Sequence, residues 1–309
     1  MYKIADTLFP HRARWQQVSL LVLVLAYFIA FTILPSGFDI PWYYLPALAG
    51  DKPMYYPYWA YWLTFPLALL PFKLNYLALI AIILIATPLI VRHTKGNPYL
   101  LFLSFPFIWV LWYGQIESLV AMGFAFMWHG WQKRAPFILG LGLFFTSLKP
   151  HIMGPAAMLV LFYLDSWRLR LKSLWLVGPV LLLSFIRWGW GWPIEWLNTI
   201  SSPVFRDAYS NGSLWVWFGP WALILWVPAL IVPMHREARV MLALTTALLT
   251  MPYVPPYSQL TLYFFPMPVW TWFAGQLPWA QLIVGDSVFR FNFLVPAALT
   301  LRIYARRQT

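Results

Sequence analysis

The first residue of this chain that could do chemistry is Asp39, in the segment GFDIPWYY. It stands four residues after the first long apolar segment, which ends at Pro35. A carboxyl group this close to an apolar core tends to have a raised pKa, which suits a general base that takes a proton from a hydroxyl. A solvated loop aspartate is the simpler interpretation, and spacing alone favours it.

A second polar site is predicted around Lys149, in TSLKPHIMGP, where one apolar segment ends and the next begins. A lysine at membrane depth is costly and usually has an anionic partner. A lipid phosphate is one available partner, and the adjacent His151 could add a second contact. Snorkelling of the ammonium group to the membrane interface is an alternative of equal weight.

Three further polar residues stand at junctions between apolar segments. Gln115 and Glu117, in WYGQIES, could orient ligand hydroxyls, although helix capping explains them nearly as well. Asn211 begins the sequon NGS, for which a structural turn is the simpler interpretation. The sequence has no cysteine and no HExxH, GxGxxG or P-loop pattern, so thiolate, zinc, dinucleotide and ATP chemistry have no support.

Long apolar segments must position these residues. The chain has 309 residues, of which 61% are hydrophobic and 10% charged, against roughly 25% charged residues in soluble domains. Segments 16–35 and 74–91 carry no charge and are long enough to cross the hydrocarbon core as helices. We therefore predict an all-α polytopic membrane protein, one transmembrane domain over residues 1–309 with about ten transmembrane helices. The predicted helices lie near 16–35, 74–91, 98–113, 116–131, 136–149, 151–164, 174–187, 214–233, 240–254, 257–273 and 288–301.

Basic residues indicate the orientation of these helices. Lys3, Arg12 and Arg14 precede the first apolar run and no small-residue cleavage site follows it, so we predict an uncleaved anchor with its N-terminus in the cytoplasm. The tail, about 302–309, is then cytoplasmic, and the segments of about 36–73 and 188–213 are two larger external loops. The net charge of +12 belongs to membrane loops and does not indicate nucleic-acid binding. We predict a multi-pass protein of the plasma or inner membrane whose site faces the external side.

The order of several segments resembles that of the GT-C glycosyltransferases, in particular the mannosyltransferases that depend on polyprenol-phosphate-mannose. FDIPWYYLPAL (38–48) and YYPYWAYWLTFPLALLP (55–71) resemble that family's first external loop, with its aspartate, its tyrosine pair and a proline-rich interfacial helix. GQIESL (114–119) resembles a Gly-Gln turn of the family. The resemblance covers roughly residues 36 to 265.

Later segments continue the resemblance in the same order. The stretch 139–170 resembles one in which a helix ends in Lys-Pro, and SNGSLW (210–215) and MPYVPPYSQL (251–260) resemble segments that follow it. The chain is short for the family. In the last segment it has Tyr257, Ser258 and Gln259 where relatives often carry histidines.

The resemblance implies an inverting transfer of a hexose, with mannose expected from the family named above, from a polyprenyl-phosphate-sugar donor to a lipid-linked or glycan acceptor. It implies that Asp39 is the catalytic base and that Lys149, His151 and Arg206 hold the donor phosphate. No nucleotide, metal or other cofactor is then expected. The remaining substrate-binding candidates are Tyr43, Tyr44, Gln115, Glu117, Asn211 and Tyr257.

Two other classes of protein remain open at this point. A transporter or flippase of a lipid-linked or anionic substrate would place polar residues on several helices near mid-membrane, whereas the central parts of these segments carry almost no charge. A non-catalytic subunit of a membrane complex is also compatible with the short chain and its many Trp and Pro residues. A lateral cavity that holds both Asp39 and Lys149 would favour the enzyme, and a central channel would favour transport.

Overall fold

A computed structural model describes residues 13–51, 55–203 and 211–306 of the chain. These residues form helices and connecting turns, without a strand among them, which confirms the prediction of an all-α protein for this part of the chain. Arg206 and the basic residues Lys3 and Arg12 lie outside the described residues.

The α-helices are numbered here in chain order, and short 3₁₀ and π turns are given by their bounds alone. In the first half they are α1 (Arg14–Ile33), α2 (Leu45–Ala49), α3 (Ala60–Thr64), α4 (Phe72–Thr94), α5 (Pro98–Phe102), α6 (Phe105–Tyr113), α7 (Glu117–Gln132), α8 (Pro136–Thr146) and α9 (Pro150–Phe162). In the second half they are α10 (Trp167–Ser173), α11 (Val177–Trp188), α12 (Trp192–Ile200), α13 (Trp215–Phe218), α14 (Trp226–Ile231), α15 (Arg236–Thr250), α16 (Leu260–Tyr263), α17 (Val269–Ala274), α18 (Gln281–Val284) and α19 (Leu294–Ala305). The π turn is Ile40–Tyr44, and the 3₁₀ turns are Phe65–Ala68, Gly219–Leu225, Pro256–Gln259, Leu277–Ala280 and Asp286–Phe291.

Membrane association is supported by helices that are long and apolar enough to cross a bilayer. Among the described residues these are α1, α4 and the Asp286–Ala305 segment that ends in α19. A fourth span is possible if α10 and α11, which meet at an angle of 55°, count as one broken span. The predicted number of about ten transmembrane helices is not confirmed, because most of the apolar runs fold as helices shorter than a span.

Proline, glycine and serine residues explain why those runs break. The segment predicted as one helix over 98–113 divides at Ser104, whose side chain accepts a hydrogen bond from the Phe107 N–H at 3.3 Å and so caps α6. The segment predicted over 214–233 breaks at Gly219, which has a φ of 55° and precedes Pro220. The proline-rich stretch after residue 55 folds as α3 and a following 3₁₀ turn, which together are shorter than a membrane span.

The core is built around α7, which packs closely against α8. A Cβ atom on Gly142 of α8 would overlap the backbone of Met127, and one on Gly123 of α7 would overlap Phe145. Small residues at such crossings let two helix backbones approach within van der Waals contact. The close packing of α7 and α8 matters for the site. α7 begins at Glu117, and α9, the helix that follows α8, begins directly after Lys149.

Candidate functional site: a polar cavity at the helix junctions

The candidate site is a cavity of about 470 Å³. Six of the residues predicted from the sequence line it: Asp39, Tyr43, Gln115, Lys149, His151 and Tyr257. Nine others complete the lining: Trp42, Tyr55, Tyr56, Leu197, Ile200, Ser201, Met251, Pro252 and Tyr253. Trp42 is 62% exposed and Leu197 is 47% exposed, so the cavity opens to the surface on an apolar rim.

Two glycines position Asp39 beside the turn that follows α6. Gly37 has a φ of 76°, and its N–H donates to the carbonyl of Trp112 at 2.6 Å, which ties the segment after α1 to the end of α6. Gly114 ends α6 with a φ of 70°, and a Cβ there would lie 3.1 Å from the Cα of Gly37. This close approach of two backbones brings Asp39 into contact with Gln115.

Gln115 fixes the position of the Asp39 carboxylate. Its amide N–H donates to Asp39 Oδ2, and its carbonyl oxygen accepts from the hydroxyls of Tyr44 and Tyr56, each at 3.4 Å. The Tyr44 hydroxyl in turn accepts from the backbone N–H of Ile116 at 3.2 Å. Because the Gln115 oxygen is occupied by hydroxyl donors, its amide is left in the orientation that donates to the carboxylate.

Burial raises the pKa of Asp39 from its ordinary value of 3.8 to about 7. A carboxyl group with a pKa near neutrality can exist in both protonation states at physiological pH, which is the property required of a general base. Burial also raises the pKa of the Tyr43 and Tyr55 hydroxyls, so both remain protonated and can donate hydrogen bonds in the cavity.

Lys149 is the cation of the cavity, and its position follows from the start of α9. Pro150 occupies the first helical position and leaves Lys149 as the residue before the helix, with a φ of −130°. Its Nζ lies 2.6 Å from Oε2 of Glu117 and donates to Ser258 Oγ at 3.0 Å. The ring of Tyr257 lies 4.9 Å from the same nitrogen. Lys149 is therefore a paired, buried cation with one face on the cavity, where an anion could bind it.

His151 lies next to Lys149 on the cavity wall. Its Nδ1 is buried and has no hydrogen-bond partner among the described residues. Its ring stands 6.1 Å from the ring of Trp196, on α12. Because Nδ1 is enclosed by protein, a bound ligand would contact another part of the His151 ring, which lines the cavity.

An aromatic wall joins the two segments that were predicted to be external loops. Tyr43 and Tyr55 stack at 4.5 Å with their ring planes 10° apart. Trp196 donates from Nε1 to the carbonyl of Tyr55 at 3.1 Å, and the Tyr58 hydroxyl donates to Glu195 Oε2 at 3.1 Å. The structure thus brings the predicted loops of about 36–73 and 188–213 together at one cavity.

Four predicted site residues do not line this cavity or cannot be placed. Asn211 is buried elsewhere: its amide donates to the carbonyl of Pro252, and its oxygen accepts from the N–H groups of Ser213 and Val254. It holds a turn and does not line the cavity, so its assignment to substrate binding stays a prediction. Tyr44 and Glu117 do not line the cavity: Tyr44 donates to Gln115, and Glu117 forms the ion pair with Lys149. Arg206 lies outside the described residues.

Tyr55, Tyr56 and Ser258 belong to the site but were not among the predicted residues. The aromatic cluster YYPYW, which begins at Tyr55, was visible in the sequence, but its rings could equally have formed an interfacial belt. Ser258 was noted only as a departure from the resembled family, because its contact with Lys149 depends on the packing of distant helices. Within the described residues, no three His, Asp or Glu side chains are close enough together to hold a metal ion.

The chain matches no protein-family model, no curated protein and no solved structure. What the cavity can do chemically therefore follows from its own residues.

Proposed function

We propose that this chain is a membrane glycosyltransferase of the GT-C type, which transfers a hexose from a polyprenyl-phosphate-sugar donor to a hydroxyl of a lipid-linked or glycan acceptor. The observation that carries the proposal is that Asp39 and Lys149, far apart in the sequence, line one cavity. A base and an anion-binding cation that face one space are the two groups this reaction needs. The resemblance of the surrounding segments to the mannose-transferring members makes mannose the first sugar to test.

In the proposed reaction, Asp39 takes the proton from the acceptor hydroxyl as its oxygen attacks the anomeric carbon. The bond between that carbon and the phosphate oxygen breaks, and the polyprenyl phosphate leaves with the bonding electrons. Attack opposite the leaving group inverts the anomeric configuration. Lys149 stabilises the charge that develops on the phosphate, and such preorganised stabilisation is commonly the largest contribution to catalysis.

Other cavity residues are assigned to holding the substrates. His151 would contact the donor from the cavity wall, and Arg206 is a further cation that the resemblance assigns to the phosphate. The stacked rings of Tyr43 and Tyr55 offer a flat apolar surface for a sugar ring. The apolar rim at Trp42 and Leu197 would let the isoprenoid chain remain in the bilayer while its phosphate enters.

The proposed orientation places the N-terminus and the basic tail in the cytoplasm and the cavity on the external side of the plasma or inner membrane. It rests on the distribution of Lys and Arg residues between segments. The carrier lipid makes the membrane itself a partner, and the proposed reaction consumes neither a nucleotide nor a metal.

The experiment that tests this function is a transfer assay with the purified chain in proteoliposomes. Polyprenyl-phosphate-mannose and a short glycan or lipid-linked acceptor are supplied, and glycosylated product is measured from pH 5.5 to 8.5. Only ionised Asp39 accepts a proton, so we expect the rate to rise with pH through an apparent pKa near 7. A transporter or a non-catalytic subunit gives no product at any pH, so absence of product with a panel of hexoses would exclude the enzyme.

We expect Gln115→Glu to move this pH profile to higher pH. The substitution keeps the shape of the side chain but places a second carboxylate against Asp39, which disfavours ionisation of the base and raises its pKa. Gln115→Ala should instead reduce the maximal rate by up to about 100-fold, because the base is no longer held in position. Gln132→Glu, which lies outside the cavity, is the matched control. Identical pH profiles for Gln115→Glu and native protein would show that Gln115 does not position Asp39.

A further inference from the structure

A second groove, of about 320 Å³, lies between α15 and α19 and shares no lining residue with the cavity described above. The Thr300 hydroxyl of α19 donates to Thr245 Oγ1 of α15 at 2.8 Å, which joins the two helices beside the groove. Its floor is apolar: the rings of Trp128 and Phe265 meet edge to face at 5.2 Å, and Leu262 is buried beside them.

One end of the groove is basic. Arg302 and Arg306 line it: Arg302 is in the last turn of α19, and Arg306, four residues later, is the residue that caps its C-terminus. Glu237 also lines the groove, but its Oε1 accepts a hydrogen bond from Gln132 at 2.9 Å. Among the described residues, this end of the groove therefore holds two guanidinium groups and one carboxylate, which already accepts from Gln132.

The position of the groove in the fold indicates what its ligand is. α19 ends the candidate span Asp286–Ala305, so the two arginines stand where a membrane-crossing helix reaches the headgroup region. Leu301, beside Arg302, is 70% exposed, as expected of a side chain that faces lipid. Basic pockets between membrane helices bind anionic headgroups, and guanidinium groups bind phosphate with paired hydrogen bonds.

We propose that this groove binds one anionic phospholipid of the surrounding membrane. Its phosphate lies between Arg302 and Arg306, and the upper part of one acyl chain lies along Phe265 and Leu262. The arginines of the basic end complement the phosphate. The apolar floor would contact an acyl chain, which a free inorganic anion does not have. This inference does not depend on the function proposed for the cavity.

The test is native mass spectrometry of the full chain in detergent, titrated with phosphatidylglycerol or phosphatidylcholine of the same acyl chains. We expect tighter binding of phosphatidylglycerol, and we expect Arg302→Gln/Arg306→Gln to weaken that binding at least about tenfold. The matched control is Arg168→Gln/Lys172→Gln, which removes two exposed charges at the same spacing on α10 and should change the affinity less than twofold. Equal binding of the two lipids, or equal loss in both double variants, would overturn the proposal.

A second variant tests the apolar part without touching the arginines. Ala238→Phe, on the groove wall in the first turn of α15, should exclude the acyl chain and also weaken phosphatidylglycerol binding. Thermal unfolding without added lipid shows whether each variant still folds, since arginines at a helix C-terminus also stabilise the helix itself. If inorganic phosphate competes with phosphatidylglycerol and Ala238→Phe leaves the affinity unchanged, the site is a small-anion site and the lipid assignment is wrong.

Discussion

Asp39→Asn is expected to slow hexose transfer by about 100- to 10,000-fold, the usual cost of removing a general base. The amide has the shape of the carboxyl group and can still accept the hydrogen bond from Gln115, but it cannot take a proton from the acceptor hydroxyl. Product formation by native and variant protein in proteoliposomes measures the effect. A stably folded Asp39→Asn protein with near-native turnover would remove Asp39 from the mechanism.

Stability provides the control for that experiment. Because burial raises the folded-state pKa of Asp39, the native state binds this proton more tightly than the unfolded state does. The contribution of this proton to the free energy of unfolding is fully present below about pH 4 and is lost as the pH rises through about 7. Asp39→Asn should therefore be at least as stable as native protein at pH 8. Asp51→Asn, an exposed aspartate of the same segment outside the cavity, should change neither rate nor stability.

Lys149→Met should destabilise the protein by about 3–5 kcal/mol, because it leaves the carboxylate of Glu117 buried without its partner. The ion pair spans 2.6 Å, and its side chains are 8% and 0% exposed, so the Glu117 carboxylate is shielded from bulk solvent. Oε1 of Glu117 already has no hydrogen-bond partner among the described residues, which adds to the cost. For a domain of this size the loss corresponds to a Tm lower by roughly 5–10 °C.

The double variant Lys149→Met/Glu117→Gln separates the structural role of Lys149 from its role in binding. Replacing both members of a buried ion pair is often close to neutral, so most of the lost Tm should return. Affinity for polyprenyl-phosphate-mannose should not return, because the cation that faces the phosphate is still missing, and loss of such a contact costs about 2–5 kcal/mol. Donor affinity is measured by fluorescence quenching or native mass spectrometry.

The control for the stability measurement is an exposed ion pair. Asp165 lies 2.5 Å from Arg134 and 3.4 Å from Arg236, and all three side chains are at least half exposed. Surface pairs contribute at most about 1 kcal/mol, so Asp165→Asn should leave the Tm almost unchanged. A native Tm for Lys149→Met would show that the ion pair with Glu117 does not stabilise the fold. Native donor affinity in the double variant would show that Lys149 does not contact the donor.

Several features of the fold could be predicted because they depend on local sequence. The charge-free run at 74–91 appears as α4, and the polar residues of the site stand at helix ends, since charges are excluded from the apolar middle of such segments. Predictions that joined neighbouring helices into one failed where a cap or a glycine turn interrupts an apolar run, as at Ser104 and Gly219. Average hydrophobicity over a window does not register a single capping hydrogen bond.

Local sequence was also enough to single out Asp39, Gln115 and Lys149, because an acid, an amide and a cation are conspicuous at the ends of apolar segments. It could not assign their partners. Glu117 and Asn211 looked as able to bind a ligand as Gln115 did, yet Glu117 neutralises Lys149 and Asn211 holds a turn. Which polar group meets another, and which is left facing open space, depends on how helices distant in the chain pack together. Only the folded arrangement decides it, because a buried charge or amide takes whatever partner lies within hydrogen-bonding distance.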